Sequence, residues 1–516
     1  MYFRTILRNI LSNWVGYLVT TVLGFFLAPY IVHHLGNTGY GAWTLILSLT
    51  GYFGLLDLGI RSSVGRFVAR YIALQDSPSV NRTVSTAIGI LGCGSLLTLI
   101  ASGILYASFG HFHIEPGFLP TARLALLIAS ANICFALPMG VFSAVLIAVE
   151  RFDVMTGVTV AGAITRSALI VITLRSGHGL IALALVASCV SLCEYTSMAA
   201  LAKFLYRPLQ VGWRFVDVAN GRELFGFGIY RFIWIIANQL IFYTDSVVIG
   251  VFLSAGAITF YSIGGSLVGY GRNVVSLAVD TLYPAATRLD SRNDVTGLRE
   301  LEIFGTRIAL LIALPLCLGF LFFGRQFIVL WMGKDYAVSA LYLTVLTIPQ
   351  FTSMPQYASA LVLAAMAKHK RLAYMVLGEG IANLVLSIIL VRKMGLVGVA
   401  WGTAIPHVIN TGVIVPLYTL RTLRLSAREY LAKAWFRPIL CALPVALICY
   451  ALAHLIVNPS WAEFGAEVLV VCGAFGILSY FICLTSSEKA LVMKKLWRPQ
   501  GRAADIEEAR QAVSAK

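Results

Sequence analysis

The sequence predicts an all-α polytopic membrane protein of about fourteen transmembrane helices, arranged as two pseudo-symmetric six-helix bundles plus two extra C-terminal helices. Three observations predict it. Hydrophobic residues make up 59% of the chain and charged residues 12%, with a mean hydropathy of +0.84, an apolar excess beyond that of water-soluble domains. The apolar residues fall in runs near the length of about 20 residues that crosses a bilayer, and basic residues gather in alternate intervals between them. Segments of the first half recur in the second at a nearly constant spacing.

In chain order the expected spans are 13–33, 40–60, 84–108, 121–149, 154–174, 179–202, 223–252, 257–284, 303–324, 337–366, 371–391, 395–419, 435–457 and 463–484. Helices are expected because a lipid-embedded backbone must satisfy its own polar groups, and the short alternating strands of a barrel are absent from the sequence. The first span follows a short basic segment with Arg4 and Arg8 and is read as an uncleaved helix. Every interval between runs is short, which leaves no room for a water-soluble catalytic domain. The nine cysteines fall inside apolar runs and are read as packing residues without a disulfide framework.

The formal charge of +16 would point to nucleic acid on a soluble chain; here its distribution assigns it to orientation instead. Arg61, Arg66, Arg70, Arg82, Arg151, Lys203, Arg207, Arg214, Arg222, Arg288, Arg292, Arg299, Lys368, Lys370, Arg371, Arg421, Arg424, Arg428, Lys433 and Arg437 are all expected on the side of the N-terminus. The other side holds Arg175, Lys334, Arg392 and Lys393. The expectation is a multi-pass protein of the bacterial inner membrane with both termini cytoplasmic.

The repeat aligns LGNTGYGAWTL from Leu35 with LSAGAITFYSI from Leu253, an offset of 218. LPMGVFSAVLIAVER from Leu137 aligns with MPQYASALVLAAMAK from Met354 at 217, and GLIALA from Gly179 with GLVGVA from Gly395 at 216. The expected units are 1–208 and 209–425, each of six spans and therefore parallel repeats. Residues 426–485 add a helix pair, and 486–516 form a cytoplasmic tail.

The turn LG…GYGAW followed by GLLDLGI, the stretch DSVVIGVFLSAGAITFYSI ending in LYPAATRL, and GIANLVLSIILVRKMGLVGVAWGTAI at 380–405 together carry a resemblance. They resemble the bacterial polysaccharide and oligosaccharide (O-antigen type) flippases, of the superfamily that also holds the multidrug-extruding MATE transporters. The resemblance implies a MATE-like pair of bundles around a central cavity. It also implies alternating access that moves an undecaprenyl-pyrophosphate-linked oligosaccharide from the inner to the outer leaflet. Polysaccharide polymerase or export proteins would be partners, and no cofactor or metal is implied. The extra helix pair departs from the twelve-helix pattern and is similar to the pair of the lipid II flippase.

An ionised side chain at bilayer depth costs about 2.5–3.5 kcal/mol even on insertion scales, so it normally faces a bundle interior or a wet cavity. Arg272, Arg231 and Arg166 lie inside spans and are the candidates for a pyrophosphate, because a guanidinium is permanently charged and forked. The repeat sets Arg231 over Asn13 and Arg166 over Asn383, marking both asparagines as candidate cavity residues. The alternatives stay open: Arg231 at the depth of Asp280 fits a structural salt bridge, and Arg166 has Glu194 or Glu379 as potential partners. Asp245 is the candidate for proton or cation coupling, followed by Asp280; hydration in the outer part of its helix is the other reading for Asp245. Asp57 is read as a local partner of Arg61. No phosphate loop, nucleophile elbow or metal-ligand motif occurs in the sequence, so a transporter is expected rather than an enzyme. Two rival readings are a MATE-type drug/cation antiporter, which would want an acidic cavity, and a membrane glycan polymerase or ligase, which would want a large reactive outer loop.

Overall fold

The computed structural model describes residues 2–456 and 460–483, with side chains other than those of residues 2–11, 13, 227–231, 234 and 369. The chain is all-helical among these residues. Ten helices are long and apolar enough to cross a membrane, or eleven if a pair bent by 40° at Tyr243 counts as one span.

The first helix, α1 (Tyr2–Phe53), joins the first two expected spans into one element. Only Gly36, at φ 69°, leaves helical geometry, so a kink replaces the expected loop. A tight turn, Gly54–Asp57, ends the second span earlier than expected, and left-handed Leu58 and Gly59 redirect the chain. It enters α2 (Ile60–Ala73), an amphipathic helix absent from the expected spans. Ile60, Ser63, Val64, Phe67 and Val68 are its buried face. Helices α3 (Ser77–Ser108), α4 (Leu119–Met139), α5 (Val141–Ala148), α6 (Phe152–Arg175) and α7 (Leu180–Leu205) complete the first half.

The second half follows with α8 (Val218–Phe242), α9 (Thr244–Phe252), α10 (Ala255–Asp280), α11 (Tyr283–Ser291) and α12 (Val295–Met332). The expected span 257–284 ends at Asp280, before the separate helix α11. The expected span 337–366 is broken into α13 (Ser339–Thr347), α14 (Gln350–Ser353) and α15 (Gln356–Ala365). Pro349 and Pro355 at the breaks cannot donate to the helical ladder. Helix α16 (His369–Met394) leads to α17 (Leu396–Ile409), which widens into a π-turn at Asn410–Ile414 and continues as α18 (Val415–Leu423). The last helices are the short α19 (Ala427–Tyr430), α20 (Phe436–Leu455) and α21 (Trp461–Ile482).

Turn chemistry repeats along with the sequence. Left-handed Gln75 and Asn293 lie 218 residues apart, Glu150 and Ala367 217 apart, and Gly177 and Gly395 218 apart. Asp76 caps α3 by accepting from the Ser79 N–H at 3.1 Å, and Asp294 caps α12 by accepting from the Gly297 N–H at 2.8 Å.

The cores show how the halves meet. One core holds residues of both, with Val32, Leu45 and Ile46 of α1 packed with Ile249 of α9 and Ile258 and Leu267 of α10. It lies at the end of the molecule that carries Gly36. Thr259 donates to the Asn37 carbonyl at 2.7 Å, Tyr336 to the Asn37 side chain at 2.8 Å, and Trp331 to the Phe25 carbonyl at 3.0 Å. The strand-like passage through His113 pairs with Gly250 and Ala255 on the same end. Towards the opposite end the core divides. One branch runs from Ile60 to Leu209, adding only Leu224 at the start of α8, and the other from Val275 to Ala434. Helices α20 and α21 pack on the outside of α12 through Leu310, Leu314 and Leu318 against Cys441, Val445, Cys449, Val471 and Phe475.

A Cβ added at Gly41 would lie 1.8 Å from the Ala255 carbonyl oxygen, so α1 and α10 meet there backbone to backbone. Gly41→Val is expected to destabilise the protein by about 1–3 kcal/mol through overpacking, read as a lower unfolding midpoint in detergent. Gly65→Val, where a Cβ meets nothing within 4 Å, is the control expected to leave the midpoint in place.

Candidate functional site

Polar residues inside the second half converge on the seam between α16 and α17. Glu379, Asn383 and Ser387 share one face of α16 by their spacing of four, and Thr403 and His407 do the same on α17. They meet because Gly402 admits the Ser387 backbone; a Cβ there would lie 2.6 Å from the Ser387 Cα.

At the Gly36 side of this seam stands Asp245. Its Oδ2 accepts from the Tyr261 hydroxyl at 2.5 Å and from Thr403 Oγ1 at 2.8 Å. Thr403 also lies 3.4 Å from Asn383 Oδ1, which accepts from Ser387 at 3.0 Å. Asp245 and Asn383 are both buried, so the hydrated reading of Asp245 does not hold. The carboxylate is held by neutral donors from α10 and α17, and its Oδ1 is buried without a hydrogen-bond partner among the described residues. Asp245 and Asn383, which came from separate lines of reasoning, thus belong to one cluster.

A second cluster follows along the seam. Glu379 Oε1 lies 2.5 Å from His407 Nδ1, and Glu379 Oε2 accepts from Asn410 Nδ2 at 2.5 Å. The π-turn that begins at Asn410 supplies this geometry. One extra residue per turn rotates the helix beyond Ile409, and Asn410 reaches the same carboxylate as His407. Glu379 is therefore engaged by His407 and Asn410, and the expected alternative of an Arg166–Glu379 pair is excluded.

Arg272 lies on α10, eight residues or about 12 Å along the axis from Asp280. Its guanidinium stacks on the Phe242 ring of α8 at 4.4 Å from the centroid. Tyr357 of α15 and Glu379 lie within electrostatic reach of it. Among the described residues no carboxylate pairs with it within 4 Å, and the side chain is not fully buried.

Arg166 is different. Its Nη2 lies 3.1 Å from both carboxylate oxygens of Glu194 on α7 and 3.3 Å from Ser191 Oγ. Glu194 reaches this position by lying over Gly162, where a Cβ would be 1.7 Å from its Oε1. Arg166 is thus ion-paired within the first half and is not brought to Arg272 or to Asn383. The side chains of Arg231 and Asn13 lie outside the described residues. Asp280 accepts from Ser276 at 3.2 Å and is exposed. Asp57 pairs with Arg61 at 3.1 Å, the local partnership its spacing implied.

Three features went unread in the sequence. Glu379 entered only as a partner for Arg166, and His407 and Asn410 did not enter at all; their signal was polar residues four apart on two consecutive apolar spans. Glu302 is fully buried on α12, accepting from Ser359 at 2.6 Å, beside Thr306 and Tyr430. Glu467, on the appended α21, is also buried.

The family described as "Polysaccharide biosynthesis protein" matches residues 6–290. The "Uncharacterized membrane protein EpsK" of Bacillus subtilis (strain 168) is 22% identical over 506 residues, covering 96% of this chain and 98% of that protein. The "Putative O-antigen transporter" of Shigella flexneri is 22% identical over 422 residues, 80% of this chain and 98% of that protein. Among solved structures, the lipid II flippase MurJ in an inward closed conformation superposes with a TM-score of 0.70 at 15% identity, covering 95% of this chain and 100% of that one. An inward-facing MATE family multidrug transporter gives 0.70 at 12% identity over 78% of this chain and 94% of its own. The fold is thus of the kind that MATE transporters and MurJ share.

Tyr261→Phe or Thr403→Val removes one of two donors to the buried Asp245 carboxylate. Each is expected to cost about 1–3 kcal/mol, seen as a lower unfolding midpoint of the purified protein. Ser276→Ala, which removes a donor to the exposed Asp280, is expected to leave the midpoint within error.

Proposed function

The chain belongs to the polysaccharide biosynthesis protein family, and from that premise we propose that it flips an undecaprenyl-pyrophosphate-linked oligosaccharide across the bacterial inner membrane. A transporter role fits the family and the fold, and no chemical step is asked of the chain. The observation that carries the reading is Arg272: a guanidinium inside the helical bundle, not fully buried, with no carboxylate paired to it among the described residues. A fixed cation in a low-dielectric bundle is stabilised by an anion, and a pyrophosphate supplies one with the geometry a guanidinium prefers.

We read α1 as two spans, and α4–α5, α8–α9, α13–α15, α17–α18 and α19–α20 as one each, with α2 and α11 outside the membrane, a reading of fourteen spans. The paired left-handed residues and the paired Asp76 and Asp294 caps support two related units, 1–208 and 209–425, with 426–485 as an appendage. The basic excess places the termini in the cytoplasm, which makes the Gly36 end periplasmic. The shared core then closes the outer end and the divided core opens inwards, an inward-facing state that receives the headgroup from the cytoplasmic leaflet. Rocking of one unit against the other would present it outside while the prenyl tail stays in lipid. Asp245, with an unpartnered Oδ1 beside Asn383, is the candidate coupling residue. Arg166 stands apart from the headgroup path because Glu194 already neutralises it.

The drug-antiporter reading wants acids facing a cavity. Asp245 and Glu379 are instead each held by two hydrogen-bonding side chains.

Deleting the gene is expected to leave lipid-linked oligosaccharide on the cytoplasmic face and to remove surface glycan. Arg272→Ala at unchanged protein level is expected to lower export by roughly 10- to 150-fold, the equivalent of about 1.5–3 kcal/mol for a charge-assisted contact. Arg272→Lys retains the charge but not the fork and should fall between the two. Normal export by the Arg272→Ala protein would exclude the pyrophosphate role of this residue.

A further inference from the structure

We propose that Glu379, His407 and Asn410 form a proton-binding site whose occupancy is linked to that of an anion at Arg272. The inference rests on the pyrophosphate reading above and adds the ion that accompanies it.

The proton count follows from the contacts. A ring nitrogen and a carboxylate oxygen 2.5 Å apart must share a proton, since two bare lone pairs would repel. Asn410 Nδ2 donates to the other oxygen, so the carboxylate is supplied with donors on both sides in its ionised form. With Nδ1 carrying the shared proton, His407 Nε2 is left as a bare acceptor. It is buried and has no partner among the described residues. The next proton lands there. If the shared proton is drawn on Glu379 instead, Nε2 must carry N–H, and that is already the state with the second proton. Either description gives a site that holds one proton or two, with the second on Nε2. Imidazole is the side chain whose charge ordinarily changes near neutral pH.

The link to Arg272 is charge. Glu379 and the guanidinium stand against the same stretch of α8: a Cβ at Gly380, next to Glu379, would lie 2.9 Å from Leu240 Cβ, and Arg272 stacks on Phe242 two residues on, which puts the carboxylate within electrostatic reach of the cation. With one proton the Glu379–His407 pair carries −1, which balances Arg272. An arriving pyrophosphate then meets a site whose positive charge is already compensated. With two protons the pair is neutral, and Arg272 is left uncompensated for the anion. Anion binding and proton binding therefore favour each other, and the coupling is reciprocal.

Helix α9 brings Asp245, held by Tyr261 and Thr403, and α10 brings Arg272. Helix α15 brings Tyr357 and α13 brings Tyr342, while α14 and the π-turn bring no titratable group. Residues 232–242 of α8 contain none. On α16 itself the nearest is Tyr374, with Lys370 and Arg371 at its start and Arg392 and Lys393 at its end.

The test uses the full chain in nanodiscs, with farnesyl pyrophosphate as the probe and calorimetry in buffers of differing ionisation enthalpy. The wild type is expected to take up as much as about one proton per bound pyrophosphate. Its affinity should fall as much as about tenfold per pH unit once the second proton is lost. His407→Asn and Glu379→Gln are expected to bind with no proton uptake and a flat pH dependence. Wild-type binding without proton uptake overturns the proposal and leaves the pyrophosphate reading standing, a result that does not depend on any variant folding. Uptake that survives in His407→Asn overturns it as well. Absence of pyrophosphate binding by the wild type removes the underlying reading, and the proposal with it.

Discussion

The backbone of α1 at Gly41 rests against the carbonyl of Ala255, and the rest of the arrangement depends on that approach. A side chain at residue 41 would hold α1 and α10 apart. Without one, Asn37 comes within hydrogen-bonding distance of both Thr259 and Tyr336, and Trp331 reaches Phe25. In lipid the hydrophobic effect does not drive helix against helix, so close packing and interhelical hydrogen bonds must hold the joint. Such bonds average about 0.6 kcal/mol in membrane proteins. The bonds from Thr259 and Tyr336 to Asn37, that of Trp331, the two backbone bonds of His113, Tyr52 to Thr244 and Gln239 to Gly51 make seven among the described residues. Together they come to roughly 4 kcal/mol, about the binding free energy of a millimolar ligand. A joint of that strength closes one end of the molecule and can still be opened by what binds between the halves.

The interior away from that joint is arranged around charge. Asp245 and Glu302 are held by hydroxyl donors, and Glu379 by an imidazole and an amide. Arg166 has its carboxylate within the first half. Arg272 is left with an aromatic face and a distant acid. A lone guanidinium in a low-dielectric interior is costly, and such a residue persists where a ligand or a nearby titration balances it. Placing Glu379 close enough to feel Arg272, but bonded to other groups, leaves the cation compensated without occupying its donors.

Much of this was legible beforehand because it depends on local chemistry. The repeat read from apolar segments at offsets near 217 reappears in features that were not used to find it: the left-handed residues and the two aspartate caps. Asp57 and Arg61 pair because the short turn through left-handed Leu58 and Gly59 keeps two residues so near in the chain within reach of each other. The two proline breaks in 337–366 were visible as prolines, though not the three helices they leave. The merger of the first two spans was not visible, because Gly36 permits either a loop or a kink and its neighbours decide which. The partner of Arg166 was likewise open. Both acids lay at suitable depth, and the choice fell to Gly162, whose missing side chain lets Glu194 lie across α6.

The sequence by itself determined that the chain is helical and membrane-embedded, and how its positive charge is distributed between the apolar runs. Apolar run length, turn residues and charge distribution act within a few residues of one another and need no tertiary context. Only the tertiary structure decided which polar residues meet. Asp245 joins Asn383 through Thr403, His407 and Asn410 converge on Glu379 across a π-turn, and Arg272 is left over. The reason is physical. A polar group inside a membrane bundle takes whichever partner the packing of other helices brings within about 3 Å. That depends on the rotation and closeness of separate helices, fixed here by Gly41, Gly162 and Gly402, whose contribution is the absence of a side chain.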